Sequence, residues 1–171
     1  MKRCISVLCL GALALALTGC AGYRLGPTNG DIAGGRSIQI DPFANKTLEP
    51  QLVDYVMNSL RKDLQRDGTF RLDTHQEGDI VLSGVITSYS RTALSVQPTD
   101  VLTALDYQIT MTAQITARDR ITGKIILDHP VTGTTTLRAG NDLTSAERSA
   151  IPLLADDFAR RTTALLVDGT W

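Results

Sequence analysis

Between Leu105 and Ala117 the chain alternates without a break. Leu105, Tyr107, Ile109, Met111, Ala113, Ile115 and Ala117 fall on one side of an extended strand, and Asp106, Gln108, Thr110, Thr112, Gln114 and Thr116 on the other. Successive side chains of a strand point to opposite faces, so this run specifies a sheet with one face in a core and the other against water or a polar partner. The polar side is largely uncharged. Whatever else the chain forms has to cover the apolar side.

Two segments carry the helical spacing needed to do so. Leu52, Val53, Val56, Met57, Leu60 and Leu64 recur on one stripe. Thr47 is placed to cap the start of that helix, and Asp67-Gly68 ends it with the residue a left-handed cap prefers. Further on, Thr144 and Glu147 form a capping-box signature ahead of Ile151, Leu154, Phe158, Leu165 and Leu166, with Pro152 expected to bend or delay that second helix. Ser37 to Asp41 reads as a short first strand, stopped by Pro42, and Phe70 to Leu72 as a short extended piece. Asp79 to about Leu94 reads as a long strand, with Ile80, Leu82 and Ile86 on one side and Val81, Val85 and Tyr89 on the other. Ser95 to Thr103 reads as a loop. Lys124 to Leu137 returns as a strand whose Pro130 demands an edge position or a bulge. The economical packing is an α+β two-layer sandwich: a mostly antiparallel sheet of about four strands with two helices on one face.

The N-terminus has a separate logic. Met1-Lys2-Arg3 is cationic, Cys4 to Leu17 is apolar or small, and Leu17-Thr18-Gly19-Cys20 follows. The apolar core fits a secretion signal and is short for a membrane-spanning helix of about 20 residues. The terminal pattern resembles the bacterial lipoprotein box, which implies cleavage before Cys20 and acylation of its thiol. The expected division is therefore a cleaved signal over 1–19, a lipidated tether over 20–35 rich in Gly and containing Pro27, and a single domain over 36–171. About 150 residues remain, enough for a real core. Of the 3 cysteines, Cys4 and Cys9 leave with the signal, so no disulfide or cysteine metal cluster is available to the mature chain. The whole sequence holds 17 Lys+Arg against 18 Asp+Glu, and the signal removes Lys2 and Arg3. That balance is not that of a nucleic-acid binder.

Motifs for chemistry are sparse. His75 and His129, the only 2 histidines, have no second ligand at metal spacing. Ser59-Leu60-Arg61-Lys62 spells an SxxK inside the first helix, but no KTG follows. Asp156 and Asp157 diverge around the second helix rather than forming a dyad. No enzyme, metal or cofactor is expected. The features with functional colour are the polar strand face, with Gln108, Thr110, Thr112 and Gln114 as partner-facing residues, and the arginines at strand and loop ends.

Several segments together resemble the lipopolysaccharide-assembly outer-membrane lipoprotein family, LptE. These are Cys20-Ala21-Gly22-Tyr23-Arg24-Leu25, Pro42-Phe43-Ala44-Asn45-Lys46-Thr47-Leu48-Glu49-Pro50, Asp79-Ile80-Val81-Leu82-Ser83-Gly84, Asp106-Tyr107-Gln108, Arg120-Ile121-Thr122-Gly123-Lys124 and the run from Pro152 to Arg161. The resemblance implies a non-enzymatic lipoprotein, held in the outer membrane through acylated Cys20. Its domain would lie on the periplasmic side or within the lumen of a β-barrel partner, LptD, which it plugs and helps to assemble, and it would bind lipopolysaccharide. Ala21 after the cysteine favours the outer membrane by the sorting rule of such lipoproteins. Family members use basic residues near a loop tip and near the second helix for lipopolysaccharide. Here Ser95-Val96-Gln97-Pro98-Thr99-Asp100 offers no arginine, and Arg91, Arg138 and Arg148 are the nearest candidates. The Pro-Phe-x-Asn-x-Thr entry also resembles periplasmic lipoproteins that activate a peptidoglycan synthase or build curli-type secretion assemblies, which is the competing expectation.

Overall fold

A computed structural model describes residues 34–169 apart from 98, 99, 140 and 141; Cys20, the signal and most of the tether lie outside the described residues. The elements are β1 (Arg36–Ile40), β2 (Ala44–Asn45), α1 (Leu52–Asp67), β3 (Phe70–Asp73), β4 (Ile80–Gln97), β5 (Asp100–Asp119), β6 (Ile125–Arg138) and α2 (Leu143–Asp168). The fold class is α+β, with both helices on one face of an open sheet. The sheet itself corrects the sequence expectation: it has six strands and is mixed, ordered β3-β1-β4-β5-β6 with β2 paired to β4. β1 runs parallel to both β3 and β4, because α1 carries the chain back to its starting end before β3 is laid down. Only β4, β5 and β6 form antiparallel ladders.

The inner face of β5 is buried as its alternation requires, with Ile109, Met111, Ala113, Ile115 and Ala117 all inaccessible to solvent. Ile38, Ile80, Leu82 and Ile86 extend that floor, and Leu52, Val56, Leu60 and Leu64 of α1 and Ile151, Leu154 and Phe158 of α2 close it from above. Two glycines let the layers approach. A Cβ on Gly84 would lie 2.5 Å from the Phe43 ring, so an edge of that ring packs directly on β4. A Cβ on Gly133 would lie 2.8 Å from Phe158 Cβ and 3.0 Å from the Leu154 carbonyl, so α2 rests directly on β6. Pro130 lies on β6, an edge strand, as a residue without an N–H requires. Asp157 of α2 accepts the Thr134 N–H (2.9 Å) and covers part of that edge. Burial alone would raise the Asp157 pKa, but the Thr134 N–H with Arg161 and Arg160 outweighs it and holds the carboxyl below its ordinary range. Asp156, as its divergence implies, points elsewhere and accepts the Ser59 hydroxyl (2.7 Å), tying α1 to α2. Ser59 therefore sits in a helix–helix contact.

The helix ends depart from expectation in instructive ways. Gly68 ends α1 at φ 74, as read from Asp67-Gly68. Thr47 does not cap α1, which begins at Leu52 after Gln51 without a side-chain cap. Thr47 instead closes a rigid loop: its N–H and hydroxyl donate to Asn45 Oδ1, and Asn45 Nδ2 reaches the Glu49 carbonyl. The expected Thr144–Glu147 box is also replaced. Asp142 caps α2 through the N–H groups of Thr144 and Ser145, which leaves Glu147 free for another task. With that cap in place α2 starts well before Pro152 and runs through it, so the proline does not delay the helix. The cost is one internal hydrogen bond, the one the proline nitrogen cannot donate.

Candidate functional site

The predicted Ser95–Thr103 loop is mostly strand. β4 continues to Gln97 and β5 starts at Asp100, giving a hairpin of two long arms. Along β4 the register shifts between Ile86 and Ser88, where Thr87 is extra. Such a bulge moves every later side chain to the opposite face. Tyr89 therefore pairs with Met111 and Arg91 with Ile109, on the helix side, correcting the assignment of Tyr89 to the same side as Val81 and Val85.

That reversal builds a polar cluster over the hairpin end of the core. The Tyr89 hydroxyl donates to Glu147 Oε1 and Arg91 Nη1 donates to Glu147 Oε2, both at 2.5 Å, and the Arg91 guanidinium lies 5.4 Å from the Tyr107 ring centroid. Burial, then the bond to Glu147, pushes the Tyr89 phenol well above its ordinary 10. A phenol held protonated in the folded chain while the unfolded one ionises contributes stability that is intact below pH 10. That contribution is lost as pH rises through the folded-state pKa. Tyr89→Phe should accordingly flatten the alkaline limb of the stability–pH curve, read as the denaturation midpoint above and below pH 10. An unchanged alkaline limb would show that the phenol is not held as described. Beside this cluster a cleft of about 480 Å³ lies between the Lys46–Glu49 loop and Thr87–Tyr89. A smaller one of about 190 Å³ separates Pro50 and Gln51 from Thr144 and Arg148.

The three candidate arginines are not equivalent. Arg91 is committed to Glu147 and faces the helices. Arg138 is opposite Asp106 on the outer sheet face; its side chain is 76% exposed and approaches that carboxylate at 3.7 Å. Arg148 is exposed on the second turn of α2 and helps lower the Asp142 pKa, behind the dominant Ser145 and Thr144 hydrogen bonds. All three lie toward the hairpin end of the sheet, on different faces. The bulge behind the Glu147 clasp had one signal in the sequence: Ile80, Leu82 and Ile86 keep even spacing, and the next large ring, Tyr89, falls three residues on.

Gln108, Thr110, Thr112 and Gln114 do share one surface. Across the ladders they stand beside Ser88, Ser90 and Thr92 of β4 and Thr132, Thr134 and Thr136 of β6. Thr112 and Thr132 share a hydroxyl hydrogen bond at 3.0 Å, and Gln114 Nε2 donates to Asp128 at 2.5 Å. Charge on this face is confined to its two ends, Arg118 and Asp128 at one and Asp106 and Arg138 at the other. Between them lies a band of hydroxyls and amides. Among the described residues no group of three His, Cys, Asp or Glu is placed to hold a metal ion, and the His129 ring nitrogen Nδ1 lies 2.7 Å from its neighbour's carbonyl.

The fold is thus a helix-backed mixed sheet whose outer face carries a band of uncharged hydroxyl and amide side chains between charged ends. A family model for lipopolysaccharide assembly, LptE, matches residues 35–164, and the chain belongs to that family. Among solved structures, protein XCC0632 from Xanthomonas campestris shares the fold at TM-score 0.60 and 10% identity, over 86% of this chain and 93% of that one. A minor lipoprotein from Acinetobacter baumannii shares it at 0.52 and 15% identity, over 77% and 92%. PelC from Paraburkholderia phytofirmans, solved as a dodecamer, shares it at 0.52 and 19% identity, over 84% and 95%. No curated protein sequence matches the chain.

Proposed function

We propose that this chain is the lipoprotein subunit of the outer-membrane lipopolysaccharide translocon. In this reading it is acylated at Cys20, seats its outer sheet face against the lumen wall of an LptD-type β-barrel, and binds lipopolysaccharide in transit. The observation that carries it is the uncharged central band on the outer face of β4, β5 and β6 in a chain of the lipopolysaccharide-assembly family. The interior of a large outer-membrane barrel is polar, and a surface of threonine, serine and glutamine satisfies such a wall without burying unpaired charge. Arg138 and Arg148, both exposed, are the cations this reading assigns to lipid phosphates; Arg91 contributes by holding Glu147. The fold is also that of a protein solved as a dodecamer, so a homo-oligomer is the competing outcome. Depleting the protein should lower both surface lipopolysaccharide and the yield of mature barrel, measured on isolated envelopes. Unchanged levels of both would contradict the assignment.

A further inference from the structure

We infer that the β5–β6 turn is a second membrane contact, which sets its apolar tip into an anionic phospholipid surface beside the lipid anchor. The inference rests on the lipoprotein reading above. Gly34, the first described residue, bonds through its N–H to the Thr69 carbonyl, and Arg36 at the start of β1 pairs with Asp119 at 3.3 Å. The anchored segment therefore enters the domain at the end of the sheet that carries the β5–β6 turn, the end opposite the β4–β5 hairpin. Roughly fourteen residues separate Cys20 from Gly34, a reach of at most about 50 Å. That keeps the turn within range of the surface that would hold the acyl chains.

The turn has the composition of an interfacial contact. Ile121 at its tip is 81% exposed and Ile125 is 49% exposed. Arg118, Arg120 and Lys124 around them are all exposed. A lone exposed isoleucine is unremarkable on any protein. Here it stands on a hydrogen-bonded turn among three cations, and the one acid of the turn is already engaged. Asp119 Oδ1 accepts the N–H groups of Ile121 and Thr122 and the Thr122 hydroxyl, while its Oδ2 accepts from Arg36. Those bonds hold the Asp119 carboxyl below its ordinary range. A cleft of about 350 Å³ beside the turn is lined by Ile125 and Ile126, by Thr122 and Lys124, and by the Arg36–Asp119 pair; its apolar side chains and its lysine suit a phosphate headgroup with its glycerol. Apolar insertion combined with basic side chains is the recognised logic of attachment to anionic lipid. Acyl chains alone retain the protein; this contact would in addition orient the domain against the surface.

The test uses the full mature acylated chain, whose only native cysteine is blocked by its lipid. A nitroxide is attached at Ile121→Cys or, as the control on a loop away from the turn, at Leu48→Cys, where the native leucine is 98% exposed. The protein is placed in phosphatidylethanolamine–phosphatidylglycerol vesicles, and collisions of the label with oxygen and with a soluble nickel complex are compared. An apolar side chain at an interface sits about 5–10 Å into the headgroup boundary, so the oxygen-to-nickel ratio should be on the order of tenfold higher at 121 than at 48. Arg120→Glu with Lys124→Glu should return the ratio at 121 to its aqueous value; persistence of the high ratio would overturn anionic lipid as the occupant. An acylated chain whose label at 121 matches that at 48 overturns the contact, as does a label shielded from both agents, which would indicate protein there. Intact mass on the same sample distinguishes the other failure, since an unacylated chain overturns the lipoprotein reading itself.

Discussion

Truncating Phe158 to alanine should destabilise the domain by roughly 3–5 kcal/mol, the range for a large aromatic removed from a packed core. The ring is inaccessible to solvent and belongs to the one cluster shared by both helices and the sheet. A typical domain is stable by only about 5–15 kcal/mol, so much of the folded margin would go. Chemical denaturation of the two proteins measures the loss directly. The neighbouring glycine sharpens the test. Atoms that would obstruct a Cβ on Gly133 are Phe158 Cβ, Phe158 Cα and the Leu154 carbonyl, all of which survive the truncation. Gly133→Ala should therefore remain destabilising in the Phe158→Ala background. At Gly84 the obstructing atoms belong to the Phe43 ring edge, which truncation removes, so there Phe43→Ala should relieve the clash. Opposite coupling at the two sites would show that the layers do not meet as described.

Thr110→Glu with Thr112→Glu should abolish recovery of the barrel partner while leaving stability within about 1 kcal/mol. Both threonines are half-buried on the outer face, opposite Thr134 and Thr132 of β6, and no core atom depends on them. Alone in water, two carboxylates there are solvated at little cost. Against a barrel wall each loses that solvation without a partner built to receive it, a penalty of several kcal/mol per ion. The measurement is the amount of barrel recovered with the variant, alongside its denaturation midpoint. Full recovery would remove this face from the interface.

What the sequence disclosed follows from how local each determinant is. The β5 alternation, the stripe of α1 and the left-handed end at Gly68 depend on residues within a few positions, and all are legible. Pro130 forecasts its edge strand for the same reason, since a missing N–H is a property of one residue. The parallel placement of β1 between β3 and β4 depends on pairings such as Ile38 with Ile80, which no local pattern announces. The two-residue β2 is too short to have a period. The Thr87 bulge reverses the faces of β4, and because Ser88, Ser90 and Thr92 suit an exposed face as readily as a polar interior, the reversal leaves little trace. Helix caps misled where two residue types compete. Asp142 takes the α2 cap that Thr144 advertises, and Glu147 crosses to Tyr89 and Arg91 on a strand more than fifty residues away. Of the candidate site, the Gln108–Gln114 face was visible because it is one side of one strand. The arginines were scattered over three elements, and their separation onto different faces needed the register.

Extraction of native envelopes in mild detergent, followed by identification of what co-purifies with the chain and in what ratio, tests the central reading most directly. The account predicts a complex of one copy of this chain with one outer-membrane β-barrel, retained with lipopolysaccharide. A ring of copies of this chain, or a peptidoglycan synthase in place of the barrel, would contradict it.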